Sequence, residues 1–190
     1  MNTITRVLFA AAVMLFGACY PESKNPIAPS MMNVDDPMLE GTWCVRDKDQ
    51  TVFYHMHHSD KDLRGVLQVL GVEVPKNGSK MTQEPMQLIT ARIAGINVLS
   101  FRNTGAKKEK TYGFMRYEID WRGRLKLWMA QDSVFADAVN SGKLRGTAKK
   151  NQFGSDVTLT DSSERIAAFI ATQAGKSAFG GAPIVLEKVR

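Results

Sequence analysis

The chain has 190 residues, 44% apolar and 23% charged, which is room for one globular domain with or without tails and excludes wholesale disorder. Two cysteines exclude a disulfide-stapled scaffold and any multi-cysteine zinc module. A formal charge of +6 raises nucleic acid as a partner, and the N-terminus argues against it.

Residues 1–18 contain one base, Arg6, and no acid, and every residue from Val7 to Phe16 is apolar. A positive start, a short apolar run and a small-residue exit are the three parts of a secretory signal. The run is too short to span a bilayer, which takes ~20 apolar residues. Its exit, Leu15-Phe16-Gly17-Ala18-Cys19, resembles the lipobox of bacterial lipoproteins, with Phe16 where such boxes usually carry Leu. The resemblance implies cleavage after Ala18 and a diacylglyceryl thioether on Cys19. Each buried methylene of such an anchor contributes ~0.8 kcal/mol, so two or three chains hold the protein on a membrane without a spanning helix. It also implies a bacterial cell-envelope protein. Tyr20 stands where enteric inner-membrane lipoproteins carry Asp, which points to the outer membrane, facing the periplasm. Plain secretion with cleavage after Ala18 is the alternative. With Cys19 lipidated, Cys44 is the remaining thiol in an oxidising compartment.

Residues 19–38 follow as a lipidated Cys and a proline-rich tether. Pro21, Pro26, Pro29 and Pro37 stand among Ser, Asn and Lys, and proline removes backbone donors and fixes φ, so the expectation is an extended spacer. The domain proper is expected over 39–190. There the dominant period is two, with strands expected at 42–46, 51–56, 65–72, 86–93, 96–102, 111–120, 124–130, 143–148, 156–160 and 184–189. Lys76-Asn77-Gly78, Ala94-Gly95 and Trp121-Arg122-Gly123 carry hairpin chemistry. Asp132 is expected to cap a short helix ending at Gly142. Asp161 and Glu164 suggest a capping box for a second, whose stripe of Ile166, Phe169, Ile170 and Ala174 ends at Gly175. About ten short strands with late helices read as a mainly β fold: a small closed antiparallel barrel, with a β-sandwich as the alternative.

The domain opens Gly41-Thr42-Trp43, which resembles the Gly-x-Trp start of the lipocalins and fatty-acid-binding proteins. The resemblance implies structural roles, with Gly41 turning the chain into the first strand and Trp43 packing across a closed barrel end. It also implies an apolar or amphipathic ligand in the barrel mouth. Strands with large apolar groups on both faces supply the candidate cavity residues Phe53, Phe101, Phe114, Tyr117, Trp128 and Met129.

All three histidines fall in His55-Met56-His57-His58. On a strand His55 and His57 point the same way, roughly 7 Å apart, and make a metal pair if Asp60 or Asp62 supplies a third ligand. A polar strand end is the other reading. Cys44 lies in an apolar strand with no motif that supplies a base, and reads as a small buried hydrophobe. Arg116 and Glu118 share a strand face, to pair in a polar cavity or to meet water. Removing the leader subtracts one of 25 bases and no acid, which leaves five net positive charges. Behind an export signal and without interleaved aromatics, this excess points to anionic envelope surfaces rather than nucleic acid. The expectation is a membrane-anchored, non-catalytic lipoprotein that binds a small apolar or amphipathic ligand, with no cofactor. The alternative is an envelope interaction protein with a filled barrel, its protein partner unspecified. An enzyme would rest on the histidine cluster alone.

Overall fold

A computed structural model describes residues 20–59, 63–105, 110–152 and 154–189. The period-two segments become β2 (Gly41–Arg46), β3 (Gln50–His58), β4 (Val66–Pro75), β5 (Thr82–Ile93), β6 (Ile96–Asn103), β7 (Gly113–Ile119) and β8 (Leu125–Met129). These run as an antiparallel meander, and the last strand, β11 (Ile184–Lys188), pairs with both β2 and β8. The result is a closed eight-stranded antiparallel barrel. Closure satisfies the ladder of every barrel strand and leaves the barrel itself without an edge.

Two of the strands expected in the barrel lie outside it. β9 (Gly146–Asn151) and β10 (Gly154–Leu159) form a hairpin, which joins β1 (Glu22–Ser23) in a three-stranded sheet with β1 parallel to β10. This sheet and the helices α1 (Asp132–Asn140), α2 (Ser163–Ile170) and α3 (Gln173–Ser177) cover one wall of the barrel. Outward side chains of β5 to β8, such as Ala91, Ile93, Val98 and Phe114, pack there with Phe135, Ile166 and Phe169. Phe135 sits between Phe114 and Phe169, with ring centroids 6.1 and 5.6 Å away. A second cluster, which includes Trp43, Met56, Leu88, Leu99, Phe101 and Leu186, fills the barrel interior.

The spacer expected at residues 19–38 is corrected over the described part, 20–38. Ser23 exchanges two backbone hydrogen bonds with Tyr112, at 2.9 and 2.7 Å, and the Ile27 amide donates to Ser100 Oγ at 2.8 Å. Ile27 and Ala28 are buried, and so is Leu39, just beyond the segment. The Val34 amide donates to the Thr90 carbonyl, and Asp35 accepts from the Gly65 amide. The prolines limit conformational freedom before folding, and the apolar residues between them find a wall of the barrel to bury against.

The helix ends also differ from expectation. Gln131, not Asp132, is the N-cap of α1, and the Asp132 carboxylate instead accepts from the Ser155 amide at 2.6 Å. Ser162 occupies the N-cap position of α2 without a side-chain cap bond, while Asp161 is buried, accepting from the Arg145 amide and pairing with Arg165. The second helix stops at Ile170, and Gly175 lies inside α3 rather than closing α2.

The expected tight turns hold left-handed residues at Gly78, Gly95 and Gly123, and Ala94 is also left-handed at φ 46°. A Cβ makes this region unfavourable by ~1–2 kcal/mol, least for Asn and Asp. Ala94→Asn is therefore expected to stabilise the fold by about 0.5–1 kcal/mol, read as a higher midpoint in urea unfolding.

Candidate functional site

The strand registers decide which side chains enter the barrel. Trp43 pairs with Tyr54, Tyr54 with Gly71, and Gly71 with Glu84, so these share the inward face. Continuing the alternation places Met56, Val69, Met86, Leu88, Leu99 and Met115 inside, where they belong to one cluster.

One end of the barrel is closed. The turn Pro37–Leu39 crosses it, Leu39 is buried, and the Trp43 indole donates to the Leu39 carbonyl at 2.8 Å. Tyr117 also points in near this end and donates to Asp36 at 3.1 Å. Desolvation, and next to it the Asp36 charge, push the Tyr117 phenol well above its usual range. Gly41 has φ 115°, and the chain turns into β2 there. The opposite end, the mouth, is bounded by the β2–β3 and β4–β5 turns and by the end of β6 and the start of β7. The rims of β4 and β5 bring Glu73, Thr82 and Glu84 to its inward side.

Between the ends lies a cavity of about 50 Å³, lined by Leu39, Tyr54, Met56, Val69, Met86, Leu88, Leu99, Phe101, Met115, Leu125, Leu127, Ile184 and Leu186. Tyr54 brings the lone polar side-chain atom of this lining. Burial, and next Glu84 and Glu73, push its phenol up to about 12. A raised folded-state pKa means that the unfolded chain ionises first. The contribution of Tyr54 to stability is whole below pH ~10 and is lost as pH rises from there to about 12. Tyr54→Phe is therefore expected to flatten the loss of stability between pH 9.5 and 11.5, measured by urea unfolding at each pH.

Of the six cavity residues read from sequence, Phe101 lines the cavity. Tyr117 and Met129 belong to the interior cluster without lining it. The other three are corrected. Phe53 faces outward, opposite Cys44 and Val72. Phe114 and Trp128 pack in the layer between barrel and helices, Trp128 beneath the Arg116 guanidinium at 4.5 Å. The strands carry large apolar groups on both faces because helices cover the outer one. Arg116 pairs with Glu118 at 3.1 Å on the outward face.

The residues that sequence reasoning missed are mostly aliphatic: Leu88, Leu99, Leu125 and the thioethers of Met56, Met86 and Met115. A signal was present. With Trp43 taken as inward, the β2–β3 hairpin register sets Tyr54 and Met56 inward and Phe53 outward.

The histidines do not converge. His55 Nδ1 lies 2.9 Å from Thr42 Oγ1 on the outer face, His57 is exposed, and His58 Nδ1 lies 2.6 Å from Glu40. That contact lowers the Glu40 pKa. Asp60 and Asp62, the expected third ligands, lie outside the described residues, as does Cys19. Among the described residues no three His, Cys, Asp or Glu side chains group as a metal site, and no helix is long and apolar enough to cross a membrane. Cys44 is free and buried. No family model, curated protein or solved structure matches this chain significantly.

Proposed function

We propose that this is a bacterial envelope lipoprotein, anchored through Cys19 to the periplasmic face of the outer membrane, whose barrel takes up the apolar end of a small ligand without catalysis. The leader and its small-residue exit to Cys19 support the anchor. The observation that carries the binding role is an apolar cavity inside a barrel closed at one end, the arrangement of lipocalin-like binders. Its three methionines suit this task. A thioether chain is unbranched and polarizable, and it repacks around variable shapes more readily than a branched aliphatic group does.

Size restricts the ligand. About 50 Å³ is a third of the roughly 150 Å³ that admits benzene, so a bound chain must displace methionine side chains. The same volume favours a second reading, a barrel filled by its own side chains that serves as an envelope interaction module. One experiment separates them. The domain from Tyr20 onward, with methyl-labelled methionine, is titrated with octanol and followed by NMR. Binding is expected to shift Met56, Met86 and Met115 and to leave the exposed Met31, Met38 and Met81 in place. Met115→Phe, which keeps bulk but stiffens the lining, is expected to weaken the response at least tenfold. Unmoved interior methyls up to saturating octanol would sink the binding role and leave the filled barrel.

A further inference from the structure

The first described residues sit at the mouth. Tyr20 packs against Phe101 with ring centroids 5.4 Å apart. Gly113, the first residue of β7, has no room for a Cβ, which would meet Phe101 at 2.2 Å and Tyr20 Cε2 at 2.8 Å. Phe101 lies two residues from the end of β6, so both contacts belong to the mouth end. Three residues on, Ser23 is bonded to Tyr112 and is fully buried. The chain is thus held on the barrel rim from Tyr20 onward, and Cys19 is the residue that precedes Tyr20 in the sequence.

We infer that the mouth end of the barrel rests on the phospholipid surface that holds the anchor, and that the closed end points away from it. The inference rests on the lipidation of Cys19 proposed above. A thioether-linked glycerol on Cys19 puts the headgroup layer one residue from the mouth, with no slack chain to let the domain turn. β6 runs from closed end to mouth over eight residues, which at about 3.3 Å each and a barrel-strand tilt of about 40° sets the closed end roughly 20 Å further out. The β7–β8 turn, with Trp121 at 85% exposure, lies at that far end.

The mouth-end turns suit a headgroup layer. Residues 76–81 of the β4–β5 turn contain Lys76 and Lys80 and no acid, and beside them Met81 is 56% exposed. Lys76 donates to the Asp47 carbonyl at 2.5 Å, which joins this turn and the β2–β3 turn into one face. Asp47 turns its carboxylate to the amides of Asp49 and Gln50. Lys48 lies 4.0 Å from the Asp49 carboxylate, so Lys80 is the lysine of these turns that remains to meet phosphate, and Met81 to enter the interface. In this orientation an apolar ligand passes from bilayer to cavity without crossing bulk water.

The test uses the full lipidated protein in vesicles of phosphatidylethanolamine and phosphatidylglycerol. An environment-sensitive fluorophore is attached at Met81→Cys in one protein and at Trp121→Cys in another. Both sites are exposed turn positions, and the buried Cys44 stays unlabelled under native conditions. Vesicle flotation, with Cys19→Ala as control, reads the anchor by itself. Spin-labelled lipid is expected to quench the fluorophore at position 81 at least twofold more than at 121. A ten-residue flexible insertion between Cys19 and Tyr20 is expected to keep flotation and abolish that difference. Flotation with equal quenching, or with stronger quenching at 121, overturns the orientation alone. So does a difference that survives the insertion. Failure to float overturns the anchor and the orientation together.

Discussion

A chain begun at Leu39 is expected to lose at least about 5 kcal/mol of stability relative to one begun at Tyr20, and with it most or all of its folded population. The truncation removes Ile27 and Ala28, both buried in the layer between barrel and helices. It takes the Ser23 backbone partner from Tyr112 and thins the cluster that also holds Phe114 and Val98. Losing one buried isoleucine side chain costs about 2–5 kcal/mol, and the stripped wall adds to this. The fully buried Ser100 hydroxyl also loses its partner at Ile27, at about 1–3 kcal/mol for an unsatisfied group, while the Thr90 hydroxyl loses Val34 and keeps the Gly65 carbonyl. A domain of this size has 5–15 kcal/mol in all. Denaturant unfolding of the 20–190 and 39–190 chains checks this. Equal midpoints would mean that the N-terminal segment only decorates the barrel.

Gly175→Ala is expected to destabilise by about 3 kcal/mol or more. A Cβ there would stand 2.1 Å from the Phe169 carbonyl oxygen and 2.6 Å from Ile170 Cα. Both atoms are backbone of α2, so no side-chain rotation relieves the clash, and the corner between α2 and α3 must open. Phe169 and Ile170 would move with it, and both are buried against the barrel wall. Gly78→Ala is the control. Gly78 is left-handed at φ +74° with nothing near its Cβ position, so alanine there costs only the conformational penalty of about 1–2 kcal/mol. Thermal unfolding of the two variants separates close approach from backbone freedom. Similar losses would remove the packing argument.

How far the fold can be read in advance varies along the chain. The segments of the barrel strands are legible because alternation and turn residues are local properties. Ala94-Gly95 and Trp121-Arg122-Gly123 mark chain reversals whatever lies around them. The helix at Ile166 to Ile170 is legible for the same reason, since its stripe follows the 3.6-residue period. Its end is not. Gly175 reads as a helix stop, but it is a glycine because another helix backbone passes close by, and no local pattern records that.

The interior shows the same limit. β7 alternates Phe114 and Arg116 with Met115 and Tyr117, and both sets contain large buried groups. Such a pattern shows that a strand is covered on two sides without naming the cover. Reading it as a cavity wall placed Phe114 and Trp128 in a site they do not reach, while Leu88, Leu99 and the methionines that line it carried no distinctive chemistry.

By itself the amino-acid sequence determined a mainly β domain and the places of most of its strands and turns. The tertiary structure decided which face of each strand is inside, that β9 and β10 leave the barrel, and that residues 20–38 belong to the fold. The reason is physical. Periodicity encodes that a side chain leaves water, because burial stabilises it in proportion to the apolar area covered, and that area is the same whichever element does the covering. The identity of that element depends on long-range register and closure, to which no single segment of the chain holds the key.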